Sequence, residues 1–213
     1  MTEQAADAIR SRIISGQFHF GEALSEIALA TELGVSKTPV REAFLQLKNE
    51  GLVEILPQRG TFVFQMTGPQ LRQLTEMREL LEVNALRFAV RRGGEAFART
   101  LDRIIDAMAR ATEVKDPVAY RVCDAEFHQA IIDGCGNPFI GSAYNIIALR
   151  VQAFRNRLSL EAQNWRSLDE HRQVARLAQA RDADAAAECL LAHIRGAIND
   201  YFARTEKEFS RAG

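Results

Sequence analysis

Cysteine is scarce in this chain and poorly spaced for chemistry: three occur in 213 residues, Cys123, Cys135 and Cys189. An odd count with no paired spacing points away from a disulfide framework, a zinc finger or a dithiol redox pair. It leaves buried thiols in a reducing compartment, the cytoplasm. Long apolar runs are missing too. No stretch of about eighteen apolar residues is available to span a bilayer, and the N-terminal segment lacks the apolar core of a signal peptide. There is no glycine-rich phosphate loop, internal repeat or low-complexity tract. An excess of positive charge is also absent, since 27 Lys and Arg face 28 Asp and Glu, for a net charge of −1. Any nucleic-acid role must therefore rest on local charge. With 47% hydrophobic and 26% charged residues the chain can build a core, and its length suits one or two domains.

The stretch that organises the rest is Leu33–Leu52, LGVSKTPVREAFLQLKNEGL. Ser36 is placed to cap a helix through its hydroxyl. Pro39 is tolerated in the first turn, where N–H groups lack helical partners. Gly51 stands where a helix end favours a left-handed residue. Val40, Phe44 and Leu47 make one apolar stripe, and Lys37, Arg41 and Lys48 lie on another side with Thr38 beside them. An ordinary amphipathic helix has the same periodicity; a DNA recognition helix adds this polar, basic outer face near its start. The next residues favour the second reading. Leu52–Leu56 alternates like a strand, Pro57-Gln58-Arg59-Gly60 has turn chemistry, and Thr61–Phe64 reads as the returning strand. Helix, helix and hairpin make a winged helix-turn-helix. Upstream, Glu3–Ser15 reads as a helix stopped by Gly16, and Ser25 caps a helix over Glu26–Leu33. Up to Gln65 there are six basic and eight acidic residues, a balance of −2, which predicts salt-sensitive, specific binding rather than tight generic binding.

At these residues the chain resembles the GntR family of bacterial transcription regulators. The matching segments are LSEIALATELGVSKTPVREAF, LKNEGLVEI and QRGTFV. The resemblance implies operator contacts from Ser36, Lys37, Thr38, Pro39, Arg41, Arg59 and Gly60. It also marks three departures. Phe20 stands where relatives have proline, and Ile27 and Lys37 stand where arginine is common. Lysine keeps the charge but lacks the bidentate fork that reads guanine.

A boundary falls at 66/67, where Thr67 and Gln70 resemble a capping box. Helices are expected at Pro69–Arg92, Glu95–Val114, Pro117–Asp133, Pro138–Leu160, Leu168–Arg181 and Ala183–Phe209. Their punctuation is Gly93-Gly94, Asp116-Pro117, Gly134, Asn137-Pro138 and a second capping box, Ser167 to Glu170. The expected fold is mostly α: a winged helix-turn-helix with a small β-hairpin wing (1–66), then an all-α bundle (67–213). Six helices behind a winged helix resemble the FCD ligand-binding domain of the FadR subfamily, in its shorter, VanR-like form.

Asp124 and His128 lie four apart on one helix, hence on one face. His171 and His193 lie on later helices, and the fourth histidine, His19, is in the DNA half. Taken singly, each also fits a surface, first-turn or core histidine. The FCD resemblance implies that Asp124, His128, His171 and His193 converge on a divalent metal, zinc first, with nickel, manganese or iron as other occupants. It further implies that Arg78 meets the carboxylate of a small organic-acid or sugar-acid effector. Glu82 lies one turn from Arg78, so a surface ion pair explains both equally well. Asn145 and Arg150 are weaker pocket candidates, for which a solvated face is the alternative. Tyr144, Phe154 and Trp165 read as core or interface aromatics. The function implied is a cytoplasmic homodimeric regulator, most simply a repressor, on a pseudo-palindromic double-stranded operator, with no membrane partner. A metal sensor is the alternative. A metal-dependent enzyme acting on organic or sugar acids is weaker, because no general base is identifiable and the DNA half would be unexplained.

Overall fold

The computed structural model describes residues 1–158 and 161–211 and divides them into two compact units. The first unit comprises Met1–Thr67 together with Ile146–Arg157. It contains α1 (Thr2–Ser15), β1 (Ala23–Leu24), α2 (Glu26–Leu33), α3 (Lys37–Asn49), β2 (Val53–Leu56) and β3 (Gly60–Val63). The strands form an antiparallel sheet in the order β1-β3-β2. β2 and β3 are the expected hairpin, with Val53 opposite Val63 and Leu56 opposite Gly60. The third strand, β1, has two residues, too few for any alternation to show in the sequence.

Local chemistry explains the helix ends. The Ser25 hydroxyl accepts from the Ala28 N–H at 3.3 Å, as expected for the cap of α2. Ser36 sits at the N-cap of α3, but its side chain makes no cap hydrogen bond. The expected cap bond is therefore absent, and the hydroxyl stays exposed in front of the helix. α3 ends in a Schellman turn: Gly51 adopts φ 73°, its N–H reaches Lys48 O, and the Leu52 N–H reaches Leu47 O at 2.9 Å. Val40, Phe44 and Leu47 are buried with Ile9, Ile13, Leu52 and Val63, so the apolar stripe docks α3 onto α1 and the sheet. Each such side chain contributes about 1.5–3 kcal/mol by leaving water.

Residues Ile146–Arg157 complete this unit. Phe154 stacks on Phe20 with ring centroids 4.5 Å apart, and Phe20 meets Phe64 at 4.9 Å. Arg157 lies over Phe20 and donates to its neighbour Phe18 O at 2.5 Å. Phe20, the departure from the family pattern, is thus an aromatic anchor.

The second unit comprises Gly68–Asn145 and Leu158–Gly213. Its helices are α4 (Gly68–Glu113), α5 (Pro117–Gly134), the start of α6 (Pro138–Leu158), α7 (Glu161–Gln179) and α8 (Ala183–Arg211). α4 is two helices joined across Gly94, whose φ 52° and ψ −142° break the helical path where the double glycine predicts it. Asp116 caps α5 by accepting from the Val118 and Ala119 N–H groups. The expected start at Ser167 is corrected: α7 is helical from Glu161, so Ser167 and Glu170 lie inside it, and the capping-box pattern marks no terminus. The expected end of α6 at Leu160 and the side chain of Trp165 lie outside the described residues. Leu86, Leu101, Ile104, Met108, Phe127, Ile131, Ile132 and Leu190 form the core. Cys135 is buried, and Cys123 and Cys189 are half-buried free thiols. No described helix is long and apolar enough to cross a membrane.

Candidate metal centre and nucleic-acid face

The core of the second unit holds a polar cluster that apolar packing alone does not call for. Asp124 and His128 come from α5, His171 from α7 and His193 from α8. One donor atom from each lies within 4.8 Å of the other three. His128 and His171 are 0% exposed and His193 is 6% exposed. The ring centroids of His171 and His193 are 4.4 Å apart, and His128 is 5.5 Å from each. Phe127 walls one side at 4.4 Å from His171. Donors on a tetrahedral zinc ion lie roughly 3.4 Å apart, given bonds of about 2.1 Å. Three imidazoles and one carboxylate are a donor set suited to zinc and its neighbours, so the residues present fit a divalent ion.

The histidines are held from behind. The Nδ1 of His128 lies 2.6 Å from Glu82 Oε2, and the Nδ1 of His193 lies 2.7 Å from Glu170 Oε2. Asp124 Oδ1 is 3.6 Å from His171 Nε2. Arg78 Nε donates to Glu82 Oε1 at 2.6 Å, in a pair buried on both sides. Burial acts against the Arg78 charge. Glu82, Tyr144 and Asp124 together outweigh it, Glu82 foremost, so the guanidinium pKa ends above its ordinary value. Burial, followed by Asp124, also pushes the Tyr120 phenol up, which keeps it neutral.

The remaining expected effector residues fall elsewhere. Asn145 is exposed on α6. Arg150 belongs to the first unit, where its Nε donates to Gly51 O at 2.8 Å. Neither is part of the cluster. Arg78 and Glu82 are buried rather than paired on the surface, so the surface reading of that pair does not hold. Sequence reasoning missed Glu170 as a partner of His193. The available signal was the Glu170-His171 dipeptide itself, which read instead as the end of a capping box.

The first unit presents a separate polar face. Ser36, Lys37, Thr38 and Arg41 are exposed along the start of α3, and Pro39 is half-buried behind them. Arg59 and Gly60 are exposed at the hairpin tip, next to Gln58 at φ 61°. Several acids that made the local balance negative are already paired with arginines: Glu50 and Asp7 with Arg10, and Glu32 with Arg12. Glu26 holds Arg41 Nε at 2.7 Å. Lys37, Lys48 and Arg59 make no ion pair among the described residues. On α3 and the hairpin tip the cations outside these pairs are thus Lys37, Lys48 and Arg59, while Arg41 already faces Glu26.

Comparison with known proteins covers both units. A family model described as "Bacterial regulatory proteins, gntR family" matches residues 1–63, and one described as "FCD domain" matches residues 73–196. The "Probable D-xylose utilization operon transcriptional repressor" of Paenarthrobacter nicotinovorans is 27% identical over 194 residues, 91% of this chain and 85% of that protein. The "Gluconate operon transcriptional repressor" of Bacillus subtilis is 28% identical over 185 residues, 84% of this chain and 76% of that protein. The solved structure of E. coli McbR/YncC superimposes with a TM-score of 0.82 at 21% identity, covering 96% of this chain and 98% of that one.

Proposed function

The chain belongs to the GntR family of bacterial regulatory proteins, with an FCD domain behind its winged helix, and we propose that it is a repressor controlled by a small organic acid bound beside a divalent metal. Family membership makes it a DNA-binding transcription regulator and not an enzyme. In the proposed division of labour, residues 1–66 read the operator, and residues 67–213 bind the effector and dimerise in the cytoplasm. A two-fold dimer sets two recognition helices on a pseudo-palindromic site. Ser36, Lys37, Thr38, Pro39 and Arg41 enter the major groove, and Arg59 and Gly60 of the wing meet the backbone.

The observation that carries the effector reading is the convergence of Asp124, His128, His171 and His193 within 4.8 Å in a buried setting. A bound divalent ion, zinc most simply, supplies there an electrophilic centre that a carboxylate or hydroxyl oxygen can coordinate. With one carboxylate and three neutral imidazoles around it, the site keeps a charge of about +1 and favours an anion. Arg78 engages Glu82 through Nε and Nη2 and turns Nη2 over the His128 ring, so on this reading its Nη1 group meets the acid. The gluconate operon named for one relative supports a sugar acid as effector class, and the D-xylose operon named for another supports a sugar-derived effector more broadly. Control requires the acid to bind one arrangement of the dimer better than the other.

The test is elemental analysis of the dialysed protein, calorimetric titration with a panel of carboxylic and aldonic acids, gluconate among them, and operator binding with and without each. About one metal per chain, one acid that binds, and weakened operator affinity are expected. His128→Ala combined with His193→Ala loses the metal. Operator binding indifferent to metal and to every acid overturns the reading, and release by metal alone makes the ion itself the signal.

A further inference from the structure

The geometry points to Glu82 and Glu170 as positioning residues that dictate which nitrogen His128 and His193 present to the cation. This rests on the metal reading above and adds a second layer to it. A neutral imidazole carries one N–H, and its place follows the acceptor it faces. In both histidines it is Nδ1 that faces a carboxylate oxygen, Glu82 for His128 at 2.6 Å and Glu170 for His193 at 2.7 Å. Nδ1–H therefore donates outward, and the ring's lone pair lies on Nε2, the nitrogen it would present to the ion.

The second oxygen of each carboxylate is also occupied, each time by an arginine. Arg78 Nε lies 2.6 Å from Glu82 Oε1, and Arg166 Nε lies 3.3 Å from Glu170 Oε1. The cluster is thus backed by two Arg–Glu–His relays, one from α4 to α5 and one from α7 to α8. Both oxygens of each glutamate thus face partners outside the set Asp124, His128, His171 and His193, or the Nδ1 of a histidine in it. Arg78 does not block the metal side of His128. Its Nη2 is 3.2 Å from Nδ1 and 3.1 Å from Nε2. A donor in the ring plane is close to one nitrogen and far from the other, so near-equal distances put the guanidinium over the ring face.

Zinc is the probe, and the marginal relay is the place to cut, because Glu170 is partly exposed while Glu82 is 0% exposed beside a buried arginine. Glu170→Ala is expected to weaken zinc binding 10–100-fold in chelator competition. Glu170→Gln, which keeps an acceptor oxygen, is expected to lose less. Long-range ¹⁵N–¹H spectra of the metal-free protein are expected to show Nδ1–H tautomers at His128 and His193, with Glu170→Ala disturbing His193 alone. Nε2–H tautomers in the unmodified protein, or zinc affinity unchanged by Glu170→Ala, overturn the inference. If His128→Ala with His193→Ala loses zinc while Glu170→Ala does not, the relays fail and the metal site stands. Zinc retained in that double variant removes the metal site itself.

Discussion

Gly51→Ala tests whether Arg150 serves the fold or the effector. Gly51 occupies the left-handed region at φ 73°, where any other residue costs about 1–2 kcal/mol. An added Cβ there overlaps the Nη2, Cζ and Nε atoms of Arg150, whose Nε donates to the Gly51 carbonyl at 2.8 Å. The arginine can move, but only by giving up that bond. Its loss costs about 1.5 kcal/mol, the low end for a charged donor, because Arg150 is only half-buried. The expected destabilisation of Gly51→Ala is therefore about 3 kcal/mol. In an Arg150→Ala background only the backbone cost remains, about 1–2 kcal/mol. Urea denaturation of the four proteins of this double-mutant cycle, followed by circular dichroism with m-values compared, should return a coupling near 1.5 kcal/mol. Acid binding should be untouched in Arg150→Ala. A Gly51→Ala cost that is equal in both backgrounds refutes the contact, and lost acid binding in Arg150→Ala refutes the structural assignment.

Two further outcomes follow from the first unit. Arg41→Ala should lower specific operator affinity by one to two orders of magnitude, while Lys37→Ala should reduce the slope of log affinity against log salt by about one; unchanged binding in Arg41→Ala would sink the recognition-helix assignment. Phe154→Ala, which removes a ring only 4% exposed between Phe20 and Phe64, should destabilise the protein by about 3–5 kcal/mol in the same urea assay, and a cost below about 1 kcal/mol would deny the aromatic anchor.

How far the sequence foretold this structure depends on the range of the interaction concerned. The ends of α2, the Schellman glycine, the hairpin and the break at Gly94 follow from neighbours within a few residues, and each stands where local chemistry predicts it. The winged-helix and all-α architecture was legible for the same reason. Ser36 and Ser167 show the limit of local rules. A hydroxyl before a helix need not cap it, and a Ser-x-x-Glu pattern reads the same inside a helix as at its start. Partners distant in sequence left no trace. Phe20 gave no sign of Phe154, Arg150 none of Gly51, and Glu82 looked like a surface partner of Arg78 because nothing nearby announced His128. The four clustered side chains were named from a resemblance, since spacing could link only Asp124 to His128.

The relays behind the histidines also bear on the order in which the protein is made. Glu82 and His128 are 46 residues apart, and Glu170 and His193 are 23 apart. Long separations of this kind close late, after the loops between them have been ordered. A chain emerging from the ribosome without α8 holds Asp124 and His128 on one helix and has no His193 to complete the set. If these residues hold an ion as proposed, its firm capture waits on the docking of the last helix. On the proposed metal reading, metal content in a preparation of this protein would count finished molecules, and a truncated or misdocked copy would be marked by its failure to hold the ion.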